Sequence, residues 1–194
     1  MNMKRNKTIL TLAMLAALAT VTRGELSETT KDPAAGMNGS FEVAKSGLPV
    51  NWVIYTPKTV PDSDFDIVLD TKDFKDGKQS LKFVVRKCAA TGGWRSPGFS
   101  QEFPDTKPGE TYKVSFWAKN AGSEFAYSVR GVSATGGEPV KLAKSKEAIN
   151  KWRLFETTVT IPSKMWLRFE LNVLQPGTFW IDDLRTTKIA AKAK

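Results

Sequence analysis

Two segments of this chain alternate strictly between apolar and polar residues, and this alternation constrains the fold more than any other feature. The apolar positions are Tyr112, Val114, Phe116 and Ala118 in the first segment and Leu167, Phe169, Leu171 and Val173 in the second. Successive side chains of a β-strand point to opposite faces, so a period of two is typical of a strand with one buried face. We therefore predict a strand at each segment, with these residues in the core.

The rest of the chain consists mostly of short apolar runs separated by turn residues such as Asp76-Gly77 and Pro108-Gly109. Counting the two segments above, the runs predict strands at 40–43, 52–55, 66–70, 80–86, 98–103, 111–119, 125–131, 151–161, 166–173 and 178–187. Only 140–149, a short lysine-rich stretch, hints at a helix. Many short strands at regular spacing are typical of an all-β sandwich. We predict two packed antiparallel sheets, a β-sandwich of the jelly-roll kind.

The N-terminus has the layout of a secretory signal peptide. Lys4, Arg5 and Lys7 precede the uncharged apolar stretch 9–21, and small residues follow. An uncleaved anchor is the alternative, but the apolar stretch is shorter than the roughly 20 residues that span a bilayer. We predict a signal peptide at 1–24, a flexible lead at 25–37, one domain at 38–188 and a basic tail at 189–194. The mature protein is expected to be secreted, to the extracellular space or the periplasm, without a membrane span.

Composition excludes several classes of chemistry. The chain contains no histidine and one cysteine, Cys88, which excludes Ser–His and Cys–His catalysis, histidine metal sites, cysteine clusters and an internal disulfide. The formal net charge is +9, but four of the basic residues precede Glu25 and no dense basic block follows. We therefore do not expect a nucleic-acid partner.

The six tryptophans call for an explanation. Trp117 and Trp166 fall on the polar faces of the two alternating segments, and Trp94 lies in a glycine-rich segment, 91–98. An indole on a solvated face can stack on the flat C–H face of a sugar ring while polar neighbours bind its hydroxyl groups. Burial at the edge of the core or beneath a loop is the alternative for Trp117 and Trp166.

The other three tryptophans are expected to have a different environment. Trp52, Trp152 and Trp180 lie in segments rich in apolar residues. We predict that they belong to the core.

Several short motifs also follow one another in an order typical of one group of domains. They are Asn38-Gly39-Ser40-Phe41-Glu42, Trp52, Asp76-Gly77-Lys78-Gln79-Ser80-Leu81-Lys82, Trp94 ahead of Gln101, Lys107-Pro108-Gly109-Glu110-Thr111-Tyr112, Ser115-Phe116-Trp117-Ala118-Lys119, Trp152, Leu167 to Val173, and Phe179-Trp180-Ile181-Asp182-Asp183-Leu184. In this order the chain resembles carbohydrate-binding modules of the family 4, 9 and 22 type. These modules share the galactose-binding-like jelly roll.

The resemblance implies a non-catalytic binding face on the concave sheet, where such modules hold β-glucan or xylan chains. Trp94 is the first candidate, with Arg168 and Glu170 as polar partners. By position, the full candidate set is Trp94, Gln101, Trp117, Arg130, Arg168, Glu170 and Asn172.

The resemblance also implies a structural calcium ion. In such domains a glutamate of the first motif and an aspartate of the last strand approach each other, and loop backbone oxygens complete the site. The corresponding residues are Glu42, Asp182 and the loop around Asp76 and Lys78. Calcium takes six to eight hard oxygen ligands, which carboxylates and carbonyls supply.

Other functions stay open on the sequence. Such modules are normally fused to a glycoside hydrolase, whereas here the module is expected to stand alone after the signal peptide. A free-standing binding protein or a partner of an enzyme or surface complex is therefore expected. An exported structural or protein-interaction domain is the main alternative. A small glycosidase or lyase would need two carboxylates, for which Glu170 with Glu102 or Glu124 is available.

Overall fold

Two five-stranded antiparallel sheets form the body of the computed structural model, which describes residues 29–190. The strands are β1 (Ala44–Lys45), β2 (Leu48–Pro49), β3 (Val53–Tyr55), β4 (Asp64–Asp70), β5 (Ser80–Lys87), β6 (Gly98–Phe103), β7 (Thr111–Ala121), β8 (Phe125–Ser133), β9 (Gly136–Ser145), β10 (Ile149–Thr160), β11 (Trp166–Val173) and β12 (Gly177–Lys188). Short 3-10 helices occupy Pro33–Ala35 and Gly93–Arg95. The predicted all-β sandwich is confirmed.

The order of strands defines the two sheets. Sheet I runs β10-β7-β12-β5-β4 and sheet II runs β3-β6-β11-β8-β9, while β1 and β2 form a separate hairpin. No helix within residues 29–190 has the length and apolar character needed to cross a membrane. The predicted signal peptide and residues 191–194 of the basic tail lie outside the described residues.

The apolar positions of the alternating segments fill the space between the sheets, as predicted. Phe116 from β7 and Phe169 from β11 belong to different sheets, and their ring centroids are 5.6 Å apart in an edge-to-face arrangement. Phe169 also packs against Phe99 of β6 and Tyr127 of β8. Because one face of each strand is used in this way, the other face of each sheet is left to solvent or to a ligand.

The helix that the sequence suggested at 140–149 is not formed, so this prediction is wrong. Most of this stretch belongs to β9, which pairs with β8 as an edge strand, and the remainder leads into β10. Leu142 on this edge is 66% exposed. Lysines are as suitable for an edge strand, where they discourage pairing with other chains, as for a solvated helix, so composition alone did not separate the two.

The predicted strand at 40–43 is also absent, and a turn takes its place. Phe41 is fully buried but has φ +57°, which is outside the range of an extended strand. The chain turns here to pass beneath the last strand, where the Leu184 N–H donates to the Gly39 carbonyl at 3.0 Å.

The segment that was expected to be a flexible lead is, from residue 30, attached to the domain. The side-chain amide of Asn51 donates to the carbonyls of Asp32 and Gly36 at 2.6 and 2.8 Å, and the Asn51 N–H donates to the Thr30 carbonyl at 2.7 Å. This attachment holds Lys31 beside sheet II.

The inter-sheet contact predicts a large effect of truncating its central ring. Phe169→Ala should lower the free energy of unfolding by about 3–5 kcal/mol, because it removes a fully buried ring and leaves a cavity. Val68→Ala, at a side chain that is 42% exposed, should change it by less than about 1 kcal/mol. Urea denaturation followed by tryptophan fluorescence measures both. Equal effects would contradict the assignment of Phe169 to the centre of the core.

Candidate functional site

The outer face of sheet II forms the floor of a groove of about 780 Å³. Its walls come from the segment around Lys31, from the Trp94 turn and from the β8–β9 hairpin at Ser133–Gly137. The lining includes aromatic, aliphatic, polar and charged residues, among them Lys31, Val53, Tyr55, Trp94, Ser100, Gln101, Glu102, Arg130, Val132, Trp166 and Arg168. The lining thus combines indole and aliphatic surfaces with several charged groups.

A network of hydrogen bonds fixes the centre of the floor. The Tyr55 hydroxyl donates to Glu170 Oε1 at 2.8 Å and accepts from Arg168 Nη2 at 2.9 Å. Arg168 Nη2 also donates to Ser100 Oγ at 3.1 Å. Burial, together with the nearby Glu170 charge, raises the pKa of Tyr55 to about 12, so the phenol stays protonated and keeps donating at neutral pH.

Trp166 joins the same network from the other side of Arg168. Its indole N–H donates to Glu102 Oε2 at 3.0 Å, and Glu102 Oε1 lies 3.8 Å from Arg168 Nη1. Trp166 is half-buried and lines the groove. The ring therefore has a fixed orientation at the floor.

Trp94 stands at the rim on a short turn that Asn172 holds in place. The Gly93 N–H donates to Asn172 Oδ1 at 2.9 Å, and Asn172 Nδ2 donates to the Gly93 carbonyl at 2.8 Å. The Trp94 side chain is 46% exposed, and the Arg95 guanidinium lies 4.8 Å from its ring centroid. An exposed indole on a hydrogen-bonded turn is available for stacking on a flat apolar surface of a ligand.

The structure brings most of the predicted binding residues to this groove, in different roles. Trp94, Arg130 and Arg168 line it, whereas Glu170 is only 6% exposed and supports the floor through Tyr55. Asn172 positions the Trp94 turn.

Gln101 borders the groove but is occupied elsewhere. Its side-chain amide donates to the carbonyls of Asn51 and Met37 at 2.8 and 3.3 Å, and the side chain is largely buried. It holds the N-terminal segment against β6.

Trp117 is not brought to this groove. It lies on β7 in sheet I, level with Asp182 on β12 and Leu154 on β10, and the Lys75 ammonium lies 4.1 Å from its ring centroid. The alternation correctly placed Trp117 on a polar face, but the sequence did not reveal which sheet that face belonged to.

Two of the three tryptophans predicted in the core lie instead on the outer face of sheet I. Trp52 is fully buried, as predicted. Trp152 and Trp180 are half-buried, and their indole N–H groups donate to Asp73 and Asp70, each at 3.0 Å. Trp180 lies between the core residues Phe179 and Ile181 on β12, so its side chain points to the opposite face of the sheet. The alternation of strand faces thus decides its environment, although its sequence neighbours are apolar.

The residues predicted to bind metal do meet around one loop. Glu42 Oε1 accepts from the N–H groups of Lys78 and Gln79 at 2.9 and 3.2 Å. Asp182 Oδ2 accepts from the N–H groups of Lys75 and Asp76 at 2.7 and 2.9 Å. Two carboxylates from distant parts of the chain thus hold the 75–79 loop.

Gly77 completes this loop because no larger residue fits. Its φ is +69°, and a Cβ there would lie 2.4 Å from Glu42 Cδ. The close approach of backbone to carboxylate requires glycine at this position.

The acidic cluster of Glu42, Asp76 and Asp182 has a charge that favours a bound cation, but its side chains are not arranged as a ready metal site. Within residues 29–190, no basic side chain forms an ion pair with Glu42, Asp76 or Asp182, and burial raises the pKa of the fully enclosed Asp182 to about 6. No three acidic, histidine or cysteine side chains in those residues are arranged to hold a metal ion. The carboxylate donor set fits calcium chemically, and carbonyl oxygens of the loop would have to complete the coordination.

The acids considered for hydrolysis are separated or engaged. Glu124 is buried between β7 and β8 and forms ion pairs with Lys144 and Lys146. Glu102 and Glu170 both lie beside Arg168, and Glu170 accepts the Tyr55 hydrogen bond.

Sequence reasoning missed Tyr55 and Lys31 as parts of the site. Tyr55 lies in an apolar run that resembles a core segment. In the structure it pairs with Gly98 of β6, and this register places it on the outer face of sheet II next to Ser100. Lys31 lies in the segment that was expected to be flexible. The one available signal for Tyr55 was its position next to Ile54, because neighbouring residues of a strand point to opposite faces of the sheet.

Comparison with solved structures identifies the fold. A xylan-binding family 22 module, CBM22-1 of Paenibacillus barcinonensis Xyn10C, superposes with a TM-score of 0.56 at 17% identity, over 79% of this chain and 93% of that one. The C-terminal family 22 module of Clostridium thermocellum Xyn10B gives 0.54 at 17% identity, over 80% and 94%. This chain has the jelly-roll fold of these modules.

The same fold also occurs in an enzyme. The enzymatically active domain of tailspike protein 4 of bacteriophage CBA120 gives a TM-score of 0.57 at 18% identity, over 78% of this chain and 21% of that one. No family model and no curated protein matches the sequence. The structural superpositions therefore establish the fold without support from sequence similarity. Because one fold can carry different functions, the function has to be inferred from the groove.

The Asn172 contact predicts that the Trp94 turn depends on a single side chain. Asn172→Ala should speed hydrogen exchange of the Gly93 amide about tenfold or more, because its acceptor is lost, while the core strands keep their protection. Asn172→Asp keeps an acceptor and should have the smaller effect. Amide exchange measured by NMR tests this. Unchanged exchange at Gly93 in the alanine variant would contradict the proposed role of Asn172.

Proposed function

We propose that this protein is a secreted, non-catalytic carbohydrate-binding protein that holds an oligosaccharide or polysaccharide chain in the groove on sheet II. The observation that carries the proposal is the exposed Trp94 ring on a fixed turn above a floor with a second indole, Trp166, and hydrogen-bonded polar groups. Sugars combine apolar C–H faces with hydroxyl groups, and both kinds of surface meet here.

The groove supplies separate surfaces for the two parts of a sugar. Trp94 and Trp166 offer indole faces, and Val53 and Val132 add aliphatic surface. The guanidinium of Arg168 is held by Tyr55 and Ser100 and is about one quarter exposed, so it can donate to ligand oxygens without losing orientation. Preorganised donors reduce the entropy cost of binding.

Structural neighbours support this function over the alternatives. The neighbour from Paenibacillus barcinonensis is described as xylan-binding, and a second one as a family 4 module. Hydrolysis requires two carboxylates that flank the bond, whereas Glu102 and Glu170 lie against the same arginine. Secretion rests on the N-terminal 1–24 segment alone.

Removal of the rim indole should abolish most of the affinity. Trp94→Ala should weaken binding at least tenfold, which corresponds to about 1.4 kcal/mol, because the stacking surface is lost. Trp117→Ala removes an indole from the opposite sheet and should leave binding within twofold. A glycan array followed by isothermal titration calorimetry with the best polymer tests both variants. Full binding by Trp94→Ala would exclude this site, and reducing ends released from the polymer would favour an enzyme instead.

We also propose that calcium stabilises the 75–79 loop. Glu42, Asp76 and Asp182 would hold the ion together with backbone oxygen at Lys78, and the ion would neutralise carboxylates that have no basic partner among the described residues. Saturating calcium should raise the melting temperature by about 5 °C or more through preferential binding to the folded state.

Two variants separate this effect from general screening of charge. Asp182→Asn should remove the calcium-dependent rise, while Asp62→Asn, at an exposed acid away from the loop, should keep it. Differential scanning calorimetry with calcium, with magnesium and with a chelator measures the shift. A melting temperature that is the same with calcium and with the chelator would refute the calcium proposal.

A further inference from the structure

The groove carries more positive than negative charge. Its charged lining side chains are Lys31, Arg130, Arg168 and Glu102. The Arg168 charge is shared with Glu102 and Glu170, whose oxygens lie 3.8 and 3.6 Å from its guanidinium. Within residues 29–190, Lys31 and Arg130 form no ion pair with any acid, so no described carboxylate balances the charge they bring to the groove.

Arg130 lies directly across from another cation and from no acid on its two neighbouring strands. On one side, β11 places Arg168 directly across from it, and on the other side β9 places Pro139 across from it. The nearest acid along β9, Glu138, pairs with Gly131 instead. Like charges directly opposite each other on neighbouring strands repel. The two nearby acids, Glu102 and Glu170, lie against Arg168 and not against Arg130, so a negative ligand group would relieve this repulsion.

The geometry of the pair suits one kind of negative group. Directly opposed residues of an antiparallel pair have Cβ atoms about 4.5–5.5 Å apart, so a ligand group bound at Arg130 would lie close to Arg168. The Arg168 guanidinium itself donates to Tyr55 and Ser100 on the other side of β11. Arginine presents a planar fork of N–H donors that matches the two oxygens of a carboxylate. Arg95 adds a further cation over the Trp94 ring, at the rim.

We infer that the groove selects an acidic glycan, with a uronic acid carboxylate bound at Arg130 beside Arg168 while neutral parts of the chain stack on Trp94 and Trp166. This inference rests on the proposed function and names the class of its ligand. The indole and aliphatic lining of the groove distinguishes it from a general anion surface, because it gives the sugar ring a place to bind next to the charge.

Matched polymers test the inference directly. A xylan with glucuronic acid side groups and a polygalacturonate are compared with their own carboxyl-reduced forms by isothermal titration calorimetry. The wild type should bind at least one acidic polymer tenfold or more tightly than its reduced form in 50 mM salt, and the difference should shrink in 500 mM salt. A sulfated derivative of the reduced polymer is the third probe, and binding equal to that of the acidic polymer would overturn the assignment to carboxylate.

Single substitutions identify which side chain causes the preference for acidic polymers. Arg130→Gln should remove the preference, so that the acidic and the reduced polymer bind with similar affinity, whereas Arg130→Lys should keep part of it. Lys151→Gln, at an exposed lysine on sheet I, is the control for net charge and should keep the full preference. An equal loss in Lys151→Gln would overturn the inference.

The inference and the proposed function fail in different ways. If the wild type binds acidic and reduced polymers equally and Trp94→Ala abolishes both, the inference is wrong and the proposed function stands. If the wild type binds none of these polymers and no glycan on the array, both are wrong.

Discussion

The contact between the inner faces of the two sheets is the interaction on which the structure depends. Phe116 and Phe169 meet across it, and the surrounding rings fill the core. A strand that commits one face to this core has to present every second side chain outward. The outward face of β11 is therefore a consequence of the core, and Arg168, Glu170 and Asn172 occupy it because they alternate with the buried residues.

The outward face of sheet II is a candidate site because hydrogen bonds hold several of its polar side chains in place before any ligand arrives. Tyr55 links Glu170 to Arg168, and Glu102 links Arg168 to Trp166. Buried polar groups are costly when they lack partners, so such a network fixes side chains in one arrangement. The groove thus offers oriented donors and rings at its floor, while Trp94 supplies exposed apolar surface at its rim.

Sheet I shows that aromatic residues on an outer face do not by themselves make a site. Trp152 and Trp180 bind Asp73 and Asp70 through their indole N–H groups, and the Lys119 ammonium lies 6.0 and 5.3 Å from the two ring centroids. Protein groups thus occupy both the edges and the surroundings of these indoles. Trp94 differs because the Asn172 side chain holds its turn and its ring is 46% exposed, although the Arg95 guanidinium lies 4.8 Å from the ring centroid.

Period-two alternation was enough to predict the all-β class, most strand positions, the core face of β7 and β11, and the presence of Arg168 and Trp166 on a polar face. The pattern determines these features because strand geometry is local. Tertiary structure alone decided that Trp117 lies on the opposite sheet from Arg168, and that Tyr55 and Lys31 join the groove. Pairing between strands distant in the sequence sets those neighbours, and no local pattern records which strands become adjacent.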